Sequence, residues 1–484
     1  MKFLVKLFPE ITIKSKPVRQ QQSKQLRDNL RRLMRAVDDR IRVNAGWDHL
    51  EVITPAEPAV EAAAADVLTR TPGIANALMV REVEFTNLHE IYEHTRAAYG
   101  ESLRGKRFVV RVKRTGKHPF TSHDAERYVG GGLNQHCETA GVDLHNPEVT
   151  IKLEIRDNRL YLIDGRLEGL GGYPLGTQEP VLSLISGGFD SGVASYLTMR
   201  RGMKTHFCFF NLGGTAHEVG VKQVSHYLWE RYGASHRVKF VAVPFEGVVA
   251  EILKNIHHSY MGVVLKRMMY RAAERIAQRL KARALVTGES VAQVSSQTLT
   301  NLSAIDAVTS MLVLRPLATM DKQDIINIAD RIGTGEFAKN MPEYCGVISD
   351  RPTTRARMDR LEATEANFDF SVLDAAVENA VIENLDEVMA TTQHAGMVEE
   401  VRLPQPGDVV IDIRHPNEQE KHPLTLNHNK VLSIPFYELE NRVSELGPDQ
   451  TYLLYCDKGV MSRLHAAHLR EAKGLERVKV LRLA

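Results

Sequence analysis

The stretch that decides the fold is Val181-Leu182-Ser183-Leu184-Ile185-Ser186-Gly187-Gly188-Phe189-Asp190-Ser191. An apolar strand-like run enters a serine and glycine turn, and residues 192–200 continue with a helical pattern. Glycines let backbone N–H groups close around an anion, the two loop serines add hydroxyl groups, and the helix N-terminus adds its positive dipole. The stretch lacks the G-K-[ST] ending of a Walker A loop and the G-x-G-x-x-G of a dinucleotide fold. It therefore predicts a phosphate-binding loop, but neither γ-phosphate transfer nor hydride chemistry.

Around this loop, short apolar runs alternate with amphipathic stretches of helix length. The apolar runs are residues 181–185, 207–210, 238–243 and 284–287. Helical segments such as residues 261–280 separate them. This alternation predicts a parallel, doubly wound α/β sheet.

The flanking regions predict smaller domains. Residues 1–60 have the pattern of a strand, a basic helix (16–37) and a second strand, and an acidic stretch of helical character covers 352–403. Phe108, Val110 and Val112 share one face of a strand with period two, and residues 149–163 have the pattern of a hairpin. After Pro404, three apolar strand-like runs predict a small α/β domain. The fold class is thus α/β and α+β, in several domains.

Composition excludes several classes of protein. The chain is 43% hydrophobic and 25% charged, which is typical of globular proteins. Its 484 residues are too many for a single hydrophobic core. The opening Met1-Lys2-Phe3-Leu4-Val5-Lys6 is interrupted by lysine, and no later run approaches the ~20 apolar residues that span a bilayer. We therefore expect no membrane insertion and a cytoplasmic address.

Charge is segregated along the chain although the net charge is only +2. Residues 1–50 carry 12 Lys+Arg and 5 Asp+Glu, whereas residues 361–450 carry 5 and 18. A basic surface can gather phosphates by counterion release, so polyanion binding is predicted for the N-terminal half. The candidate residues for RNA binding are Arg104, Lys106, Arg107, Arg111, Lys113, Arg114 and Lys117. The alternative is a solvated strand face, and charge alone does not distinguish RNA from DNA.

The four cysteines form no CxxC pair, so a zinc site or structural disulfides are not predicted. Cys456 directly follows an apolar strand and precedes a helical stretch, where loop N–H groups and the helix dipole favour the thiolate, the form that carries sulfur. Cys345 lies between proline and glycine, which indicates an exposed loop. Cys208 is predicted to be strand core, and Cys137 has no distinguishing context. A buried structural cysteine is the alternative for Cys456.

These residues resemble known families. The loop at 186–191 resembles the S-G-G-x-D-S loop of the PP-loop ATP pyrophosphatases, and Cys456 with Asp412-Ile413-Arg414 resembles a rhodanese domain. Many rhodaneses have arginine where Met461 stands, so ordinary thiosulfate specificity is not expected. The whole chain resembles the tRNA 4-thiouridine synthetase family, ThiI. The matching motifs are residues 186–191, 265–269, 285–290, 293–298, 321–322, 341–347 and 456–462.

The resemblance implies four domains in sequence order. These are a ferredoxin-like domain (1–60), a THUMP RNA-binding domain (61–165), a PP-loop ATP pyrophosphatase domain (175–395) and a rhodanese domain (404–484). It also implies catalytic roles for Cys456, Cys345, Asp190 and Lys322, with ATP and Mg²⁺ as cofactors and no metal held by protein side chains. The residues it implies for ATP binding are Leu184, Ile185, Ser186, Gly187, Gly188, Asp190, Ser191, Lys266, Gly288 and Gln297.

The reaction implied is adenylation of uridine O4 in tRNA, expected at position 8, followed by transfer of persulfide sulfur from Cys456. Cys345 then either liberates sulfide from the persulfide or closes a disulfide with Cys456. The partners implied are tRNA, a cysteine desulfurase as persulfide donor and a sulfur-carrier protein of thiamine thiazole synthesis, and a homodimer is left open. Two alternatives remain at this point. One is a PP-loop enzyme that adenylates a different substrate, and the other is a non-catalytic RNA-binding adaptor for sulfur traffic.

Overall fold

The structure is a computed structural model. It describes all residues except 47–48, 213–214, 340–351, 392–397, 415–418, 421, 427, 436–438, 440–441, 448, 457–461, 463–464, 467–468, 471–473 and 484. Residues 1–177 with 200–202 form one compact unit, and residues 178–199 with 203–484 form another. No helix in the described ranges has both the length and the apolar character needed to cross a bilayer.

The strands are β1 (Lys2–Leu7), β2 (Arg42–Ala45), β3 (His49–Ile53), β4 (Ile74–Glu84), β5 (Arg107–Thr115), β6 (Gly141–Val142), β7 (Val149–Arg156), β8 (Arg159–Glu168), β9 (Gln178–Leu184), β10 (Met203–Asn211), β11 (Lys239–Pro244), β12 (Ala284–Val286), β13 (Leu312–Leu314), β14 (Val381–Asn384), β15 (Glu400–Val401), β16 (Val409–Asp412), β17 (Lys430–Ser433), β18 (Tyr452–Tyr455) and β19 (Val478–Leu481).

The helices are α1 (Pro9–Thr12), α2 (Lys16–Val37), α3 (Pro58–Thr69), α4 (Leu88–Tyr99), α5 (Ser122–His136), α6 (Phe189–Arg200), α7 (Thr215–Leu228), α8 (Glu246–Asn255), α9 (Met261–Arg279), α10 (Leu299–Asp306), α11 (Lys322–Ile332), α12 (Gly335–Lys339), α13 (Met358–Glu365), α14 (Ser371–Glu378) and α15 (Leu385–Thr391).

The first unit is built on one eight-stranded sheet with the order β2-β3-β1-β4-β8-β7-β5-β6. Helix α2 begins with Pro17 in its first turn and buries Leu26, Leu30 and Met34, whose spacing of four places them on one face. Two cores lie on the sheet, one around α2 and α3 and one around α4 and α5. Strand β4 pairs with β1 on one side and with β8 on the other, so the sheet is continuous through the domain boundary proposed at residue 60.

The predicted period-two strand is confirmed as β5. Phe108, Val110 and Val112 lie in the core beside α5, and Phe108 is fully buried. The hairpin predicted for residues 149–163 is β7 and β8, which are antiparallel. The opposite face of β5 carries the buried Val109 and three exposed basic residues, Arg107, Arg111 and Lys113. Basic residues therefore alternate with core residues along this strand.

The second unit contains the predicted doubly wound sheet, with the order β13-β12-β9-β10-β11-β14. Strands β9 to β13 are parallel, and the central ones are apolar because helices cover both faces. Strand β14 pairs antiparallel with β11, although it lies in the acidic region expected to be helical. Cys208 is fully buried in β10, as predicted.

The C-terminal part of the second unit is a five-stranded parallel sheet with the order β15-β19-β18-β16-β17. Three of its strands, β16, β18 and β19, match the apolar runs seen in the sequence. Val410, Leu453 and Leu481 from these strands form a shared core. Strand β18 lies between β16 and β19, which places the residue after it, Cys456, at the carboxyl edge of the sheet.

Candidate active site

The strand order of the larger parallel sheet reverses direction at β9. Strands β10 and β11 lie on one side of β9, and β12 and β13 lie on the other. In such sheets the crevice outside the carboxyl ends of the strands at this reversal is the usual ligand site. The loop after β9 and the loop after β12 both open into this crevice. The sequence motifs at 186–191 and 285–290 supply these two loops.

The two loops approach each other at glycine. A Cβ atom added to Gly288 would lie 2.5 Å from the main-chain carbon of Asp190 and 2.7 Å from the nitrogen of Ser191. Real Cβ atoms do not come this close to main-chain atoms, so only glycine permits the approach. Gly187 has a φ of +84°, in the left-handed region that glycine adopts without strain. Gly288 therefore allows the two loops to approach closely, and Gly187 allows the turn in the first loop.

The loop at 186–191 offers main-chain donors. The N–H groups of residues 187–190 lead into helix α6 and have no hydrogen-bond acceptor among the described residues. The first N–H groups of a helix have no intrahelical partner and favour anions. The Ser186 and Ser191 hydroxyls lie 3.2 Å apart, and the Ser186 N–H donates to Ser191 Oγ at 3.2 Å. The arrangement fits a phosphate group of ATP.

Asp190 is paired with a lysine from a distant part of the chain. Lys322 Nζ donates to Asp190 Oδ1 at 2.7 Å, and Gln293 Nε2 donates to Oδ2 at 2.8 Å. Lys322 is the first residue of α11 and its side chain is 44% exposed, so it can reach a ligand in the crevice. The structure therefore brings together two of the predicted catalytic residues. Gln293 was part of a matching motif, but no role was predicted for it.

A buried carboxylate holds the second lysine. Lys266 Nζ donates to Glu289 Oε1 at 2.7 Å, while Glu289 Oε2 accepts from Tyr270 Oη at 2.8 Å, Thr287 Oγ1 at 3.0 Å and Arg315 Nε at 2.9 Å. Burial alone would raise the pKa of Glu289, but Lys266 and Arg315 outweigh it and lower the pKa to about 2. Glu289 is therefore ionised and fixes Lys266 beside the crevice. Nothing local in the sequence distinguishes this glutamate from an exposed loop residue.

The other residues predicted to bind ATP lie around the same crevice. Leu184 ends β9, and Ile185 is buried with its N–H donating to the Cys208 carbonyl at 2.9 Å. Gln297 is buried, and its Oε1 accepts from the Ser290 N–H at 3.4 Å, in the loop that contains Gly288. Their predicted contacts with ATP stay predictions, but their positions are compatible with one nucleotide site.

Cys456 directly follows β18, as predicted, and it lies buried at the carboxyl edge of the C-terminal sheet. Its Sγ lies 3.3 Å from Ser462 Oγ and 3.4 Å from the Ser462 N–H, which donates to it. On the neighbouring strand, Asp412 and Arg414 form a buried ion pair, with Arg414 Nη2 2.7 Å from Asp412 Oδ2. The Arg414 guanidinium lies over the Tyr455 ring at 5.0 Å. These contacts tie the end of β16 to the end of β18, the strand that Cys456 follows.

Two sequence predictions fall outside the described residues. Cys345, with the motif at 341–347, lies in the range 340–351, and Met461 lies in the loop 457–461. The disulfide between Cys345 and Cys456 therefore stays a prediction.

The candidate RNA-binding residues lie in or beside β5. Arg104, Lys106, Arg107, Arg111, Lys113 and Lys117 are exposed. Arg104 is paired with Glu138 at 2.9 Å and Arg107 with Asp143 at 3.5 Å, so part of their charge is compensated. Arg114 differs, because it is half-buried and bonds the Gly116 carbonyl at 3.0 Å and the His118 ring at 2.9 Å. Among the described residues, no carboxylate pairs with Lys106, Arg111, Lys113 or Lys117, and Arg111 and Lys113 lie on β5 itself.

Fold and site together define a PP-loop ATP pyrophosphatase domain joined to a THUMP domain and a rhodanese-like domain. Family models match at residues 176–370 (Thiamine biosynthesis protein, ThiI), 85–163 (THUMP domain) and 397–483 (Rhodanese-like domain). The chain is 55% identical to tRNA sulfurtransferases of Saccharophagus degradans, over 98% of both chains, and of Escherichia coli O139:H28, over all of both chains. The chain therefore belongs to the tRNA sulfurtransferase (ThiI) family.

A solved structure supports the same assignment of the fold. A crystal structure of a 4-thiouridine synthetase–RNA complex with bound ATP has a TM-score of 0.71 and 26% sequence identity to this chain. The similarity covers 79% of this chain and 99% of that one. The expected family is thus confirmed, together with its THUMP, ThiI and rhodanese-like domains, while the ferredoxin-like domain and the four sets of domain bounds stay predictions.

Proposed function

We propose that this protein is an ATP-dependent tRNA sulfurtransferase that forms 4-thiouridine, with position 8 as the expected site. The observation that carries the proposal is the meeting of the 186–191 and 287–290 loops at the reversal of the sheet. Asp190 and Lys322 are paired there at 2.7 Å, beside main-chain N–H groups that have no acceptor among the described residues. The names of the 55% identical relatives and the ATP and RNA of the similar complex support it.

Uridine O4 is a poor leaving group, and adenylation converts it into a good one. Uridine O4 attacks the α-phosphorus of ATP, and the bond from this phosphorus to the oxygen that bridges to the β-phosphorus breaks. The pyrophosphate that leaves is bound by the N–H groups of residues 187–190. Lys266 and Lys322 offset the charge that develops on the phosphate oxygens. Mg²⁺ would be carried by the nucleotide phosphates, since both oxygens of Asp190 already accept hydrogen bonds from Lys322 and Gln293.

Sulfur then replaces the activated oxygen. The terminal sulfur of a Cys456 persulfide attacks C4, AMP leaves, and a disulfide joins Cys456 to the base. Attack by the Cys345 thiolate on Cys456 releases 4-thiouridine and leaves a Cys345–Cys456 disulfide, so two thiols supply the two electrons that reduce the sulfane sulfur. In the alternative route, Cys345 attacks the persulfide first and liberates sulfide. Both routes need an external reductant and a persulfide donor, for which a cysteine desulfurase is the proposed source.

The family model that matches residues 176–370 is that of a thiamine biosynthesis protein, which favours a second role. A persulfide on Cys456 could also be delivered to an adenylated carboxyl terminus of a sulfur-carrier protein for thiamine thiazole synthesis. The same rhodanese-like domain would serve both acceptors. A cytoplasmic location and a homodimer stay predictions.

The decisive experiment measures tRNA-dependent release of pyrophosphate from ATP together with mass spectrometry of tRNA nucleosides. Asp190→Asn should stop both activities because Lys322 loses its charged partner in the crevice. If another substrate were adenylated, tRNA would not stimulate pyrophosphate release. A non-catalytic adaptor would release no pyrophosphate at all. Thiolation without ATP would overturn the proposal.

A further inference from the structure

The first turn of helix α7 contacts the phosphate-binding loop at 186–191, here called the ATP loop. His217 Nε2 lies 3.1 Å from the carbonyl oxygen of Ser186, the residue that opens the loop. The ring is 7% exposed and packs edge-on against Phe209, with 4.9 Å between ring centroids. Burial lowers the pKa of His217. A neutral ring can donate from Nε2 to this carbonyl, so the start of α7 is held in a fixed position at the loop.

The same helix contacts the rhodanese-like part of the chain. Gln223 Nε2 lies 2.8 Å from His465 Nε2, and Gln223 is 6% exposed. His465 comes three residues after Ser462, whose hydroxyl lies 3.3 Å from Cys456 Sγ. The described residues between 462 and 470 are helical. Along α7, His217 and Gln223 are separated by about 9 Å of helix rise.

These contacts form a short connection between the two reactive sites. It runs from the Ser186 carbonyl through His217 and α7 to Gln223, and from His465 through Ser462 to Cys456. A buried glutamine amide is costly unless it is hydrogen-bonded, and here its bonding partner belongs to the domain that carries the sulfur. The contact also falls within one compact unit, residues 178–199 with 203–484.

We propose that α7 is the docking surface for the rhodanese-like domain of the same chain, and that the Gln223–His465 contact positions the Cys456 persulfide relative to the ATP loop. This inference rests on the proposed sulfur transfer. Docking raises the effective concentration of the persulfide at the adenylated base above what a tether alone supplies. Gln223 and His465 are positioning residues, because both lie outside the loop at 186–191 and, among the described residues, the Cys456 sulfur is bonded by Ser462 and not by either of them.

The first test is structural and does not depend on activity. In a chain with Cys137, Cys345 and Cys456 replaced by alanine, Gln223→Cys with His465→Cys should be joined by a short bis-maleimide. Buried Cys208 can stay, since burial raises its pKa and prevents reaction.

The matched control for this test is Gln223→Cys with Arg477→Cys. Arg477 is exposed and precedes β19, at the edge of the sheet opposite Cys456. We expect cross-linking of the 223 and 465 pair alone. Equal yields for the two pairs would refute the docking.

The second test measures a single turnover of sulfur transfer from the persulfide-loaded chain to tRNA. Gln223→Ala and His465→Ala should each slow transfer roughly five-fold, the factor that one net hydrogen bond represents. The double variant should be no slower than either single one, because both changes remove the same contact. Persulfide loading of Cys456 and tRNA-dependent pyrophosphate release should stay at the level of the unaltered chain, which a general loss of folding would not allow.

Ser225→Ala is the control within the helix, because among the described residues its buried hydroxyl bonds only the Val221 carbonyl of α7, at 2.7 Å. It should leave transfer unchanged. The docking would be overturned if the double variant slowed transfer by the product of the two single effects. It would also be overturned if both single variants transferred sulfur at the unaltered rate. Failure of the unaltered chain to thiolate tRNA would instead overturn the proposed function, while the cross-linking result would still decide the docking.

Discussion

Replacing Glu289 by glutamine tests whether a buried charge organises the ATP crevice. Glu289 is 3% exposed and accepts hydrogen bonds from Lys266, Tyr270, Thr287 and Arg315. A glutamine of the same shape must turn its amide hydrogens toward some of these donors. It also removes the negative charge between two cations, which is the costly way to break a buried pair.

The magnitude follows from the pKa of Glu289, which the neighbouring cations hold at about 2 instead of 4.5. A lowered pKa means that folding stabilises the ionised form, and about 2.5 pH units correspond to about 3 kcal/mol at neutral pH. This contribution is complete above the unfolded pKa and is lost as the pH falls toward the folded pKa. By about pH 3.5, roughly 1 kcal/mol of it is gone. Glu289→Gln should therefore destabilise by about 3 kcal/mol at pH 7.

The assay is denaturant unfolding of both chains at a series of pH values from 7 to 3.5, followed by measurement of the KM for ATP. The difference in free energy of unfolding should shrink as the pH falls, because only the unaltered chain titrates at this position. Glu387→Gln, on an exposed residue paired with Arg237, is the control and should change little. A difference between the chains that does not vary with pH would refute the reasoning.

Three further outcomes follow from the structure. Gly288→Ala should raise the KM for ATP about ten-fold, because its Cβ meets the Asp190 main chain at 2.5 Å, whereas Gly247→Ala, with open space around it, should leave ATP kinetics unchanged. Arg111→Glu combined with Lys113→Glu should weaken tRNA binding and flatten its dependence on salt, as measured by filter binding at two ionic strengths; an unaltered salt slope would count against this surface. Cys456→Ser should keep tRNA-dependent pyrophosphate release and abolish thiolation, and equal loss of both would contradict its role.

The features that the sequence predicts well are local. The phosphate loop is contained in consecutive residues, since a buried strand, glycines and a helix start are all visible in 181–200. The alternation of Phe108, Val110 and Val112 is equally local, and the structure confirms it. Cys456 was placed correctly because an apolar strand directly precedes it. In each case, the residues that determine the feature are close to one another in the sequence.

The features that the sequence does not reveal depend on distant partners. Asp190 meets Gln293 and Lys322 across 103 and 132 residues, and a single sequence contains no signal for such pairings. Strand β14 was missed because it is four residues long and exists through its pairing with β11, with Val381 and Ile382 still 54% and 39% exposed. Arg114 bonds the nearby Gly116 carbonyl and His118 ring, but His118 is itself bonded to the Asp157 carbonyl, 39 residues further along the chain. Long-range contacts, rather than local propensity, decide these positions.

The two lysines of the crevice are held in physically different ways, and this difference suggests a division of labour. The Lys322–Asp190 pair is substantially exposed, and exposed ion pairs are weak enough to exchange partners. In the Lys266–Glu289 pair the carboxylate is buried, and Lys266 is the donor to its Oε1 atom, so departure of Lys266 would leave Arg315 on Oε2 as the remaining cation and would weaken the compensation of a buried charge. We therefore expect Lys266 to be a stationary cation that defines where ATP binds, and Lys322 to shift from Asp190 to the phosphate oxygens as charge develops on them. Removal of the Glu289 charge should then act mainly on the KM for ATP, because the Lys322–Asp190 pair stays intact in that variant.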